Sequence, residues 1–102
     1  MNQELMKKIK DIKKKYEPEG FIIIGVFGSY VRNEQTHKSD IDILFEMNSN
    51  FIQKYSGWDV YVRIEEIKNE IHQIIGQFVD LADKNGLKRV GRKYILSEVV
   101  YV

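Results

Sequence analysis

The chain has no cysteine among its 102 residues, so neither a disulfide nor a thiolate zinc site can form. It has a single proline, Pro18. No apolar run approaches the ~20 residues that a membrane span needs. The start, Met1-Asn2-Gln3-Glu4, runs into a charged amphipathic stretch, so no signal peptide is expected and a cytoplasmic protein is the default expectation. A charge excess is also missing. Sixteen basic and 15 acidic residues leave a net +1, which argues against a general nucleic-acid binder. The histidines, His37 and His72, are isolated, and neither has a cysteine or serine partner that would indicate nucleophilic catalysis. Repeats and low-complexity segments are absent. What remains is a globular composition, 43% apolar, at a length that fits one domain over residues 1–102. A chain of this size buries roughly two thirds of its unfolded surface, enough for one modest core.

The informative stretch runs from Phe21 to Phe45. Phe21-Ile22-Ile23-Ile24-Gly25-Val26-Phe27 is β-branched or aromatic apart from Gly25 and is bounded by Gly20 and Gly28, which reads as a buried strand. Gly28 permits a sharp turn and close backbone approach. Ser29 is well suited to open a following helix, because its hydroxyl can satisfy a free N–H. A strand, Gly-Ser and a helix start together make an anion site suited to phosphate.

Ten residues separate Ser29 from Asp40-Ile41-Asp42-Ile43-Leu44-Phe45. Strand alternation puts Asp40 and Asp42 on one face and Ile41, Ile43 and Phe45 on the other. Carboxylates at i and i+2 lie roughly 6–7 Å apart at Cα and repel unless a cation or a proton intervenes. Oxygen-only ligands suit Mg²⁺ or Mn²⁺. Gln77-Phe78-Val79-Asp80-Leu81-Ala82 reads as a further strand. An aspartate inside an apolar strand is costly to bury, so Asp80 needs a partner, and a metal shared with Asp40 and Asp42 would provide one. The plain structural alternative is a turn at Gly28-Ser29, solvated aspartates on the strand, and Asp80 as a turn cap. Asp83 is the better cap, ahead of Asn85-Gly86.

Helical spacing surrounds these strands. Leu5, Ile9, Ile12 and Tyr16 form one stripe, with Lys7, Lys8, Lys10, Lys13, Lys14 and Lys15 crowding the rest, and Pro18 and Gly20 end the segment. The lysines read as a solvated face, with docking of RNA or an acidic partner as the alternative. A second helix, from about Asp59 to Ile75, carries Val60, Ile64, Ile67, Ile71 and Ile74 as its buried stripe. Trp58 either packs against its start or stands exposed for a partner. His72 falls on its polar side, and His37 lies in the loop between the motif halves. A shorter helix covers about Leu87–Leu96, with Gly91 a candidate for close contact. Val99-Val100-Tyr101-Val102 reads as an edge strand or a pairing segment. The expected order is α–β–α–β–α–β–α–β, a small mixed α/β sheet with covering helices.

These features resemble the minimal nucleotidyltransferase branch of the DNA polymerase β-like nucleotidyltransferases over nearly the whole chain. Where that family has aromatic-Ala-Arg-Gly-Glu after the serine, this chain has Tyr30-Val31-Arg32-Asn33-Glu34. Asn33 for glycine keeps access to positive φ, and Arg32 and Glu34 are expected to pair or to fix the loop, with a nucleotide contact as the alternative. The resemblance implies that Gly28 and Ser29 contact the triphosphate, that Asp40 and Asp42 hold metals (two ions), and that Asp80 completes the site and helps activate the attacking hydroxyl. ATP is the implied substrate. About 20 residues on either side of the motif strands leave no acceptor-binding domain, so the acceptor is expected on another chain. Such chains are commonly encoded beside a HEPN-domain RNase toxin, and the resemblance implies an antitoxin that adenylylates a tyrosine of that toxin. Two alternatives stand: an idle fold that neutralises its partner by contact, and a transferase acting on a small molecule or an RNA end.

Overall fold

In the computed structural model, residues 2–36 and 39–102 are described; His37 therefore lies outside the described residues. A four-stranded mixed sheet is covered by helices. In chain order the elements are α1 (Gln3–Tyr16), β1 (Phe21–Phe27), β2 (Ile41–Met47), α2 (Ser49–Lys54), α3 (Trp58–Ile75), β3 (Val79–Asp83), α4 (Arg89–Glu98) and β4 (Val100–Tyr101). The sheet order is β3-β2-β1-β4. β1 pairs antiparallel with β2 and β4, and β2 runs parallel to β3 through α2 and α3.

Local chemistry explains the boundaries. Asn2 caps α1 by accepting from the N–H groups of Glu4 and Leu5, and a 3-10 turn over Glu17–Glu19, containing Pro18, ends it. The α1 stripe is confirmed, since Ile9, Ile12 and Tyr16 are buried. Ile67 and Ile71 of α3 meet them over Phe21, Ile23, Val26, Ile41, Ile43, Phe45 and Val79 in a single core. Phe21 stacks on Phe45 with ring centroids 4.5 Å apart. Leu44 is fully buried but stands outside that core cluster. Strand alternation puts it on the opposite sheet face, the one that carries Asp42.

The structure corrects several expectations. Among the described residues no helix separates β1 from β2: residues 30–33 form turns, and the helical segment comes after β2, as α2, capped by Asn48. The α3 stripe ends on Ile75 rather than Ile74, which is exposed, because the α3 face rotates past Ile74 at the last turn. Trp58 is 78% exposed and lies against Tyr61 of its own helix. His72 is half-buried rather than on a polar face, its ring stacked on Phe78 at 4.4 Å. Gly91 is exposed, and a side chain there would meet nothing within 4 Å, so it marks no close contact. The Asp83 cap is confirmed by its bond from the Asn85 N–H at 2.9 Å. The C-terminal strand is confirmed as an edge strand, β4. Among the described residues, no helix is long and apolar enough to cross a membrane.

Candidate active site

The site lies where β1 ends and β2 and β3 begin. In the sheet register Phe27 faces Asp42, and Asp42 faces Asp80. Residues opposed on adjacent strands share a face about 4.8 Å apart. Gly28 therefore follows β1 directly beside Asp42, with Asp80 on the far side of Asp42. Asp40 precedes β2 by one residue and is exposed.

The turn after β1 depends on Gly28. Its φ is +83°, and a Cβ placed on it would collide with Asp42 Oδ2. Only glycine lets backbone and carboxylate approach this closely at that φ. The Gly28 carbonyl accepts from the Val31 N–H at 3.1 Å and the Arg32 N–H at 3.2 Å, and the Ser29 carbonyl accepts from the Glu34 N–H at 2.9 Å. The motif is thus a tight turn and not a helix N-terminus. Among the described residues, the Ser29 hydroxyl and the N–H groups of Ser29 and Tyr30 have no protein partner. A turn that leaves successive N–H groups unengaged retains the chemistry of an anion site.

The residues after Ser29 anchor the turn. Tyr30 is buried, and its hydroxyl accepts from Gln77 Nε2 at 2.8 Å. Val31 packs against the core. Asn33 adopts φ +58°, the left-handed conformation a glycine would take there. Arg32 does pair with Glu34, at 3.3 Å, but its stronger partner is Glu98, whose two carboxylate oxygens accept from Arg32 Nη1 at 3.1 and 3.0 Å. Glu98 Oε1 also accepts from the Gly28 N–H at 3.0 Å. Glu98 is a site-supporting residue that sequence reasoning missed. Its only signal was a lone acid beside an apolar C-terminal segment.

The electrostatics converge on Asp42. Burial raises its pKa above the usual aspartate range, and the charges of Asp80 and Asp40 raise it further, against a lowering by Arg32. Asp80 is 58% exposed at its side chain, with Lys68 Nζ of α3 4.0 Å away. The expectation that Asp80 is buried, and needs a partner for that reason, is therefore corrected: β3 turns its polar face outward there, and solvent hydrates the carboxylate. Asp80 matters instead through its charge beside Asp42. As the side chains lie, no three acidic or imidazole groups among the described residues are gathered into a cation cage. The donor chemistry nevertheless fits a hard divalent cation. A half-buried carboxylate disfavoured by two neighbouring carboxylates gains most from a positive charge, and the two neighbours are exposed.

Comparison with known proteins agrees with this fold. Residues 7–102 match the polymerase β nucleotidyltransferase family. The Methanocaldococcus jannaschii protein MJ0128, provisionally named a protein adenylyltransferase, is 38% identical over 99 residues, 96% of this chain and 90% of that protein. The protein adenylyltransferase MntA of Thermococcus cleftensis is 38% identical over 79 residues, 78% of this chain and 72% of that protein. A solved structure provisionally named a minimal nucleotidyltransferase superposes with a TM-score of 0.76 at 22% identity, covering 98% of this chain and 94% of that one. A toxin–antitoxin crystallised with AMP-PNP gives a TM-score of 0.71 at 21% identity, covering 93% of this chain and 69% of that one. The fold and the match over residues 7–102 agree, and the chain belongs to the polymerase β nucleotidyltransferase family.

Proposed function

We propose that this nucleotidyltransferase moves NMP, as AMP from ATP, to the hydroxyl of a tyrosine on a cognate HEPN-domain RNase toxin and so acts as its antitoxin. The observation that carries the site assignment is Asp42, half-buried at the start of β2 beside Asp40 and Asp80 and near the free N–H groups of Ser29 and Tyr30 in the turn after β1. The choice of a protein acceptor is supported by relatives named protein adenylyltransferase and by a structural neighbour that is a toxin–antitoxin with AMP-PNP.

In this reading Ser29 and the adjacent N–H groups orient the β- and γ-phosphates and stabilise their charge. The acceptor hydroxyl oxygen attacks the α-phosphorus in line. A P–O bond to the acceptor forms, the bond to the bridging oxygen of the β-phosphate breaks, and pyrophosphate leaves. Asp80 receives the hydroxyl proton or lowers the barrier to its loss. Asp40, Asp42 and Asp80 would hold Mg²⁺ or Mn²⁺, two ions in the full site, which would neutralise charge on the entering and leaving oxygens.

The test is transfer of label from α-labelled ATP with Mg²⁺ to the purified product of the adjacent gene, with Asp40→Ala/Asp42→Ala as control. Label on that protein, lost in the control, supports the proposal. Binding without label from any NTP would replace it with neutralisation by contact. Label on RNA or a small molecule alone would replace the acceptor.

A further inference from the structure

Helix α4 is unusual in what covers it. None of its residues is buried, and Val90 and Tyr94, one helical turn apart, are 83% and 60% exposed. An isolated helix shorter than ~12–15 residues is marginal in water, and most helical stability comes from packing an amphipathic face. This ten-residue helix packs little. Val90 and Tyr94, with Arg89, Lys93 and Ser97, line a groove of about 440 Å³.

The charge around the groove has one sign. Residues 84–97 contain Lys84, Lys88, Arg89, Arg92 and Lys93 and no acid, in a chain whose net charge is only +1. Among the described residues none of these five forms an ion pair, although Arg32, Arg63 and Lys68 elsewhere all do. An apolar centre within a charged, solvated rim is the anatomy of a protein–protein interface. The last residue of α4, Glu98, holds the Gly28 turn, so a partner seated on the helix stands next to the site.

We propose that the Arg89–Ser97 face of α4 is the docking surface for the acceptor protein, and that it takes an acidic segment carrying an apolar side chain. The proposal rests on the reading that the acceptor is a protein. Charge excludes the symmetric alternative, because a second copy meeting this face with its own would oppose five cations to five. The exposed Val90–Tyr94 pair favours a polypeptide over nucleic acid, since phosphate recognition gives no use for a valine at the centre.

The experiment uses the full chain and the purified product of the adjacent gene. Amide hydrogen exchange of the wild-type chain is measured with and without that protein, alongside label transfer. Protection of residues 88–97 on complex formation is the expected result. In a Lys88→Glu/Arg89→Glu/Lys93→Glu variant, affinity for the protein is expected to fall at least tenfold, with binding of a non-hydrolysable ATP analogue unchanged. Label transfer with protection elsewhere, or with equal affinity in the variant, would overturn the docking surface alone. Protection of α4 without transfer would overturn the transferase reading alone, and neither protection nor transfer would remove both. Binding of single-stranded RNA lost in the variant, with protein binding intact, would reassign the face to nucleic acid.

Discussion

Glu98 Oε1 accepts from the backbone N–H of Gly28 at 3.0 Å, so a side chain at the end of α4 holds the turn that follows β1, 70 residues earlier. The same carboxylate holds Arg32, at 3.0 Å. The turn is therefore fixed from outside its own loop.

Glu98→Ala leaves the Gly28 N–H unmatched and Arg32 with Glu34 as its remaining partner. A stability loss of about 1–2 kcal/mol is expected in urea denaturation, the ionic share being small because Arg32 is more than a third exposed. The KM for ATP is expected to rise several-fold. Glu98→Gln keeps an acceptor for the Gly28 N–H and should recover most of both losses; equal defects in the two variants would mean that the charge, and not the bond to Gly28, is what matters.

Gly28→Ala forces a Cβ onto the Asp42 carboxylate at φ +83°. The left-handed backbone costs about 1–2 kcal/mol, and displacement of Asp42 should lower transfer by up to about 100-fold. Gly57→Ala is the control. It has φ +60° with nothing within 4 Å of the added atom, so it should lose comparable stability and keep its activity.

Asp42 links stability to pH. Its folded pKa lies above its unfolded value, so the stability it contributes is present below the ordinary aspartate range and is lost as pH rises through the raised value. Asp42→Asn should melt higher than the wild type near pH 7 and no higher in acid, while losing transfer by on the order of 100-fold or more. Mg²⁺ should raise the melting temperature of the wild type more than that of the variant.

Arg63 carries the opposite linkage. It donates to Glu19 from Nε at 3.0 Å and Nη2 at 2.7 Å and reaches Glu70 at 3.2 Å, while Tyr55 donates to Glu19 at 2.6 Å. These contacts tie the turn after α1 and the end of α2 to α3. The Arg63 hydrogen bonds hold the Glu19 pKa below the usual range against an opposing effect of burial. That stability is present above the ordinary glutamate value and is lost as pH falls through the lowered one. Arg63→Ala should cost about 2–3 kcal/mol near pH 7, shrink the acid dependence of the melt, and leave the specific activity of the folded fraction close to wild type.

What could be read from the sequence was what short-range chemistry dictates. The strand over 21–27, the helix stripes at Ile9, Ile12, Ile67 and Ile71, the Asp83 cap and the positive φ of Asn33 follow from periodicity and side-chain sterics, which act within a few residues. The candidate carboxylates were visible for the same reason, since alternation fixes which face of β2 carries Asp42. The helix after Ser29 failed because propensity competes with tertiary anchoring. Tyr30 entering the core and Arg32 reaching Glu98 hold the segment as a turn instead.

The sequence alone determined the strands, the helices α1, α3 and α4 and the acidic candidates, because helix and strand periods are local properties of the chain. The tertiary structure decided that Asp80 stands exposed beside Asp42, that Glu98 reaches back to Gly28 and Arg32, and that α4 is left uncovered. Those are relations between residues tens of positions apart. Sheet register and helix packing set them, and no pattern confined to one segment encodes either.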